Sequence, residues 1–267
     1  MSANWLYVPD KADDLLHQVI SAEQNWQTLA ATSEFLQRLD QDVVALREFM
    51  SEEGRPLDNL YQVIDGIFDS LAYSGPGLQS LPQSSLNCIS FCVLFRTGNP
   101  MPMAVVIRHL LRQLEFDAYI ADVDQSLALV VRLSNSELIV MDVLTGASEY
   151  LISSDDVKQS LTNDIASFAK EIPHDELLKE ILTEQKLSFL EEELYTQALS
   201  CVEALMDLLP EDPYERRDRG LVLQYLDCGQ WAKDDLDYFL KACPNDPMAM
   251  FIKLQIEEVS GLEKTIH

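Results

Sequence analysis

The chain has 267 residues, 47% of them hydrophobic, and carries 45 Asp and Glu against 19 Lys and Arg, a formal net charge of -26. That length and apolar share suffice for one large or two small packed domains, and a charged share of 24% is that of a globular chain, not a disordered one. So negative a surface repels nucleic-acid phosphates and anionic lipid headgroups, which argues against DNA, RNA and membrane surfaces as partners, and it attracts basic proteins while also keeping the chain in solution.

The first residues, MSANWLYVPDKADDLL, lack a basic leader and a long apolar core, so no secretion signal is expected. The longest apolar run, around Cys88 to Phe95, is about half of what a bilayer requires. The expectation is a soluble cytoplasmic protein. Its five cysteines (Cys88, Cys92, Cys201, Cys228, Cys243) are odd in number and irregular in spacing, which fits reduced thiols. No CxxC pair exists and His17, His109, His174 and His267 are scattered, so neither a metal nor another cofactor is expected.

Apolar spacing near 3.6 through Leu15, Val19, Trp26, Leu29, Phe35, Leu36, Val43, Val44, Leu46 and Phe49 predicts helices, broken at Gly54-Arg55-Pro56. Leu60, Val63, Ile64, Ile67 and Leu71 form a second stripe. Ser74 to Asn87, rich in Gly, Pro and Ser, reads as a loop. Cys88 and Cys92 fall one helical turn apart and read as small core residues. The RTGNP turn at Arg96 to Pro100 then leads into a helix with Met103, Val106, Ile107, Leu110, Leu111 and Leu114 on its buried face. Three strand-like runs follow, at 117–120, 127–133 and 138–142, with Asn135 at a hairpin and Gly146 closing the unit. The sum is α+β: a mostly helical N-terminal domain with a small antiparallel sheet, over residues 1–165.

The last third repeats with a period of 34 residues. Pro210-Glu-Asp-Pro213 recurs as Pro244-Asn-Asp-Pro247, and the same shift carries Ala198 onto Ala232, Val202 onto Leu236, Leu205 onto Phe239 and Leu208 onto Ala242. This is the period and residue order of tetratricopeptide repeats. Helices are predicted at about 175–191, 195–209, 214–226 and 230–242. Asp212 is placed to cap the third, with Glu215 in a capping-box position. Gly220 and Ala232 are placed to let two helices approach closely. A further helix starts at Asp246-Pro247, carries Met250, Phe251, Leu254 and Ile256, and meets Gly261. The all-helical array is expected over 174–260. Within it, Arg216, Arg217 and Arg219 cluster beside Tyr214 in DPYERRDRG. They read either as pairs for Asp212, Glu215, Asp218 and acids of the first repeat, or as a cationic face for a carboxylate-rich partner.

The helix-then-strands order, with the passage LLRQLEFDAYIADV, resembles the transglutaminase-like fold. More closely, the chain resembles the SirB-type proteins, over PEDPYERRDRGLVLQYLDCGQWAKDDLDYFLKACPNDP and at RTGNP. The resemblance implies a degenerate transglutaminase-like domain followed by tetratricopeptide repeats. Carried over residue by residue, the family's nucleophilic cysteine falls at about Pro100 and its histidine at about Ala128, and only the acid position keeps a fitting residue, Asp142. Proline and alanine can neither attack a carbonyl nor move a proton. The resemblance thus implies a pseudoenzyme, and an indirect role in regulating gene expression.

The leading expectation is a non-enzymatic adaptor that binds another protein or peptide through the repeats, the degenerate domain, or both. The alternative is a cysteine-dependent acyltransferase or protease using Cys92, with His109 and Asp142 following in the required chain order. In that reading His109 would share a helix with the nucleophile position instead of lying on a strand. Direct DNA binding is disfavoured by the charge.

Overall fold

The computed structural model describes residues 14–27, 29–77, 81–123, 125–134, 137–153 and 169–256. The expected turn at Asn135 and the stop at Gly261 lie outside them, as do parts of both expected domain ranges. The chain divides into two compact units, Met1–Ile181 and Leu182–His267.

In the first unit α1 (Asp14–Glu23), α2 (Thr32–Arg47), α3 (Pro56–Asp65, running into a π-helical turn over Gly66–Ser70), α4 (Gln83–Leu86) and α5 (Ile89–Phe95) lead to α6 (Pro100–Gln113). Every α6 residue from Met101 to Leu111 is buried, Arg108 and His109 included. A helix buried all round lies at the centre of its unit, and α6 packs against α1, α2, α5 and two strands. Its start is built as the sequence dictates. Asn99 is extended, Pro100 stands at the first helical position where a missing N–H is harmless, and Met103 N donates to Asn99 O at 3.1 Å. The helix end after Gln113 leads directly into the sheet.

That sheet is an antiparallel meander of four strands, β1 (Asp117–Val123), β2 (Ser126–Ser134), β3 (Glu137–Asp142) and β4 (Ser148–Ser153), in sequential order. The three expected strands are present. The fourth was not expected, because Gly146 read as the end of the unit. Gly146 instead makes the β3–β4 turn. Its φ is +68°, and a Cβ there would lie 2.4 Å from Phe68, so the glycine answers to both backbone shape and close packing. The outer edge of β1 is covered by a short return of the chain: Ala121 bridges Glu171, and Ile172 N donates to Ile120 O at 2.9 Å.

Two buried carboxylates tie the helices together. Glu23, at the end of α1, accepts from Ile89 N and Ser90 N at 2.8 Å each and from the Ser90 hydroxyl. It thereby satisfies donors at the start of α5 that no helical carbonyl can reach. Asp42 on α2 accepts from Tyr73 Oη at 2.9 Å and from Arg96 at 2.6 Å. The apolar stripe predicted along the first helices is only partly buried. Leu29, Val44 and Phe49 are exposed, and the run is divided between α1 and α2. The Ser74–Asn87 loop holds the short α4.

In the second unit α7 (His174–Glu191, which begins in the first), α8 (Tyr195–Leu208), α9 (Pro213–Tyr225) and α10 (Gly229–Ala242) form two helical hairpins, followed by helical residues 249–256. These elements fall within a residue or two of the predicted ones. Gly220 meets Leu236 and Ala232 as expected: a Cβ would lie 2.8 Å from Leu236 Cγ and 3.0 Å from Ala232 O. Leu236, Phe239 and Ile252 form a core that joins α10 to the final helix. Met250, Phe251 and Leu254 lie on that helix's exposed side, so the stripe predicted there is carried inward by Ala249 and Ile252.

Candidate functional site

The three positions inherited from the transglutaminase-like resemblance occupy the first unit. Pro100 opens α6. Ala128 and Asp142 are direct cross-strand partners in the β2–β3 pairing. Ala128 is buried with Tyr119, Val130 and Val140. Asp142 Oδ1 accepts from Leu144 N at 3.1 Å, Thr145 N at 2.8 Å and Thr145 Oγ1 at 2.7 Å, an Asx-type turn that shapes the β3–β4 connection. One oxygen of its carboxylate is thus engaged by the turn.

Cys92 is fully buried on α5, with its Sγ 3.6 Å from Met103 Sδ. Burial first, and then the charge of Glu23, push its thiol well above the ordinary cysteine range. Both act against the thiolate that covalent catalysis requires. His109 lies six residues beyond Met103 on α6, about 9 Å along the axis, and its ring meets His17 edge-on at 6.2 Å. Among the described residues no group of three or more His, Cys, Asp and Glu side chains is arranged to hold a metal ion.

The arginine cluster lies at the N-terminal end of α9, where Asp212 caps the helix through Tyr214 N at 2.8 Å. Glu215 does not reach back in a capping box. It accepts both its bonds, at 3.0 and 2.9 Å, from the buried Lys186 on α7, which also donates to Asp218 at 2.8 Å. Arg217 binds Asp218 through Nε and Nη2, at 2.9 and 2.7 Å, and lies over the rings of Tyr214 and Phe239. Arg219 makes a bidentate pair with Asp235 of α10 at 2.6 and 2.8 Å. Arg216 stands over the Tyr238 ring at 4.1 Å. The arginines therefore engage acids and aromatic faces of their own unit while staying partly exposed, and Tyr214 remains exposed beside them. Sequence reasoning missed Lys186, Asp235 and Tyr238. The available signal for Lys186 was a lysine on an apolar helical face, four after Leu182 and three before Phe189.

Large apolar side chains are exposed elsewhere on this unit. They include Tyr225 and Trp231, 64% and 69% exposed, and Met250, 74% exposed. Met250 borders a shallow groove of about 390 Å³ lined also by Pro244, Ala249, Lys253 and Leu254. No helix among the described residues is long and apolar enough to cross a membrane.

A family model described as tetratricopeptide repeat matches residues 185–257. The chain is homologous to the "UPF0162 protein YchA" of Escherichia coli K12, 41% identical over 92 residues, 34% of either chain. Protein SirB1 of Salmonella typhimurium is 40% identical over 92 residues, again 34% of either chain. A more distant "UPF0162 protein" of Buchnera aphidicola subsp. Baizongia pistaciae is 23% identical over 240 residues, 87% of either chain. The matched region thus spans about a third of the length of the first two relatives. No solved structure matches the chain.

Proposed function

We propose that this chain is a non-enzymatic adaptor or regulator that holds a partner protein on its repeat unit, and that its first unit is a transglutaminase-like domain that has lost its chemistry. The observation that carries the reading is the repeat unit's surface. Two hairpins of a tetratricopeptide pattern, locked by Lys186, Gly220 and Asp235, present Tyr214, Tyr225 and Trp231 to solvent, and the helix that follows them presents Met250 and Phe251. Exposed aromatic and methionine side chains on a rigid scaffold are what protein interfaces are built from.

The pseudoenzyme half is supported by the residues at the inherited positions. Pro100 and Ala128 carry no nucleophile and no base, and Asp142 serves a turn. Cys92, the remaining candidate, is buried against a methionine. The resemblance to SirB-type proteins favours an indirect effect on gene expression over contact with DNA, since -26 charges oppose a phosphate backbone.

Affinity capture from bacterial lysate with the folded full chain tests the adaptor reading. A stoichiometric partner that survives 0.15 M salt supports it, and repeated capture of nothing above background refutes it. A thiol-reactive probe tests the rest. The native chain should label first at the partly exposed Cys228 and Cys243, with Cys92 silent until unfolding. Rapid labelling of Cys92 at neutral pH would revive the acyltransferase or protease reading.

A further inference from the structure

The two hairpins of the repeat unit turn in the same way. Glu193, between α7 and α8, and Asp227, 34 residues later between α9 and α10, both adopt left-handed backbone, with φ of 59° and 57°. Leu194 N closes the first turn on Phe189 O at 2.8 Å, and Cys228 N closes the second on Leu223 O at 2.9 Å. Glycine or asparagine is the ordinary choice at such a helix exit, yet both turns carry an exposed carboxylate there. The equivalence brings the start of α8 beside the end of α9. The rings of Tyr195 and Tyr225 lie face to face, centroids 4.4 Å apart and planes 1° from parallel. Trp231 follows on the first turn of α10 and is the more exposed of the two large aromatics at this turn.

Exposed carboxylates lie within four residues of these aromatics along the chain: Glu191, Glu193, Asp227 and Asp234. The cation within the same stretches, Lys233, is bound to Asp237 at 3.0 Å. The opposite end of α9 shows what this unit does with such rings. There Arg216 and Arg217 cover Tyr238 and Tyr214. Among the described residues no cation stands over Tyr195, Tyr225 or Trp231. The unit is polarised along α9, with internally matched arginines at one end and, at the other, aromatic rings that carry no cation beside exposed carboxylates.

We infer that the Tyr195–Tyr225–Trp231 edge, flanked in sequence by Glu191, Glu193, Asp227 and Asp234, binds an arginine-bearing basic segment of the partner protein. The inference rests on the adaptor reading above and names the face and the chemistry of its partner. Ring faces attract cations, most strongly at tryptophan. A guanidinium can stack on a ring while its edge pairs with a carboxylate, which an ammonium cannot do. A second copy of this chain is a poor occupant, because each copy brings -26 charges.

Calorimetric titration of the full chain with a 12-residue peptide of alternating arginine and glycine, at 0.15 M salt, is the test. The arginine peptide should bind more tightly than the same peptide built on lysine, and a glutamate version should not bind. Replacing both Trp231→Ala and Tyr225→Ala should weaken binding about tenfold, with the melting temperature lowered by only a few degrees through loss of the Tyr195–Tyr225 stack. Trp231→Phe with Tyr225→Phe should retain most of the affinity. Binding that ignores the alanine pair but vanishes with salt overturns the proposal in favour of general attraction to an acidic surface. So does sedimentation showing that the peptide-free chain dimerises through Trp231. If lysate capture succeeds equally with wild type and the alanine pair, the adaptor reading stands and this face falls. If the peptide binds as described while capture fails, the face stands and the adaptor reading falls.

Discussion

Lys186 on α7 and Glu215 on α9 form a buried ion pair, with the ammonium donating to both carboxylate oxygens at 3.0 and 2.9 Å and to Asp218 at 2.8 Å. Two carboxylates share this cation, and Arg217 completes the balance at Asp218. Removing the lysine leaves the buried Glu215 without a compensating cation and Asp218 with Arg217 alone. Lys186→Met should therefore lower the unfolding free energy by about 3 kcal/mol in urea titrations. Replacing all three groups by apolar residues of similar size should cost far less, because a buried pair is worth little against well-packed hydrocarbon. The contrast between single and triple variants separates the cost of an unpaired buried charge from the net worth of the network.

The same lysine sets a pH dependence. Burial alone would pull its ammonium below the ordinary range, but Asp218 and Glu215 outweigh burial and hold it above. A group whose pKa rises on folding contributes stability that is complete below its unfolded value and is lost as pH climbs through the folded value. Tyr73 has the same sign: burial, then the charge of Asp42, raise its phenol well above normal. Stability should thus hold up to about pH 10 and fall beyond it. Urea midpoints measured from pH 8 upward would show this, and Lys186→Met should flatten the decline.

Gly220 offers a test of packing against propensity. In an exposed helix, replacing glycine by alanine gains about 1 kcal/mol. Here the new methyl would lie 2.8 Å from Leu236 Cγ and 3.0 Å from Ala232 O, and backbone cannot retreat as a side-chain tip can. Overpacking costs roughly 1–3 kcal/mol, so Gly220→Ala should be net destabilising by about 1 kcal/mol. A thermal melt that rises instead would show that α9 and α10 separate easily.

What the sequence disclosed and what it withheld follow from the range of the interactions. The repeat helices were legible because period, proline and capping acid act within a few residues: Pro213, Asp212 and Gly220 each stand where local chemistry places them. The first three strands were legible from runs of Val, Leu and Ile. The fourth was not, because a glycine such as Gly146 marks a chain end and a tight turn equally well. The capping-box reading of Glu215 failed for a longer-range reason. A lysine 29 residues earlier in the chain competes for that carboxylate, and no local pattern records it. The stacked tyrosines went unnoticed likewise, since Tyr195 and Tyr225 meet only once two hairpins are placed side by side.

The RTGNP motif yields the last prediction. Arg96 ends α5 in the left-handed region, with φ of 55°, where glycine would be freer by about 1 kcal/mol. Its side chain opposes that gain: Nη2 binds Asp42 at 2.6 Å and Nη1 binds Leu71 O at 2.8 Å, while Thr97 Oγ1 donates to Gly75 O at 3.2 Å. Local conformation and tertiary anchoring therefore pull Arg96→Gly in opposite directions. Loss of the guanidinium leaves the buried Asp42 with Tyr73 and a distant Arg38, 4.0 Å away. An uncompensated buried carboxylate costs more than the backbone relief returns, so Arg96→Gly should destabilise by about 2 kcal/mol. Pairing it with Asp42→Asn should recover part of that loss, because the amide carries no charge to leave unpaired. A double-mutant cycle in urea measures the coupling directly. Additive effects would show that the turn is held by its backbone alone, and strong coupling would show that the Arg96–Asp42 pair ties the end of α5 to α2.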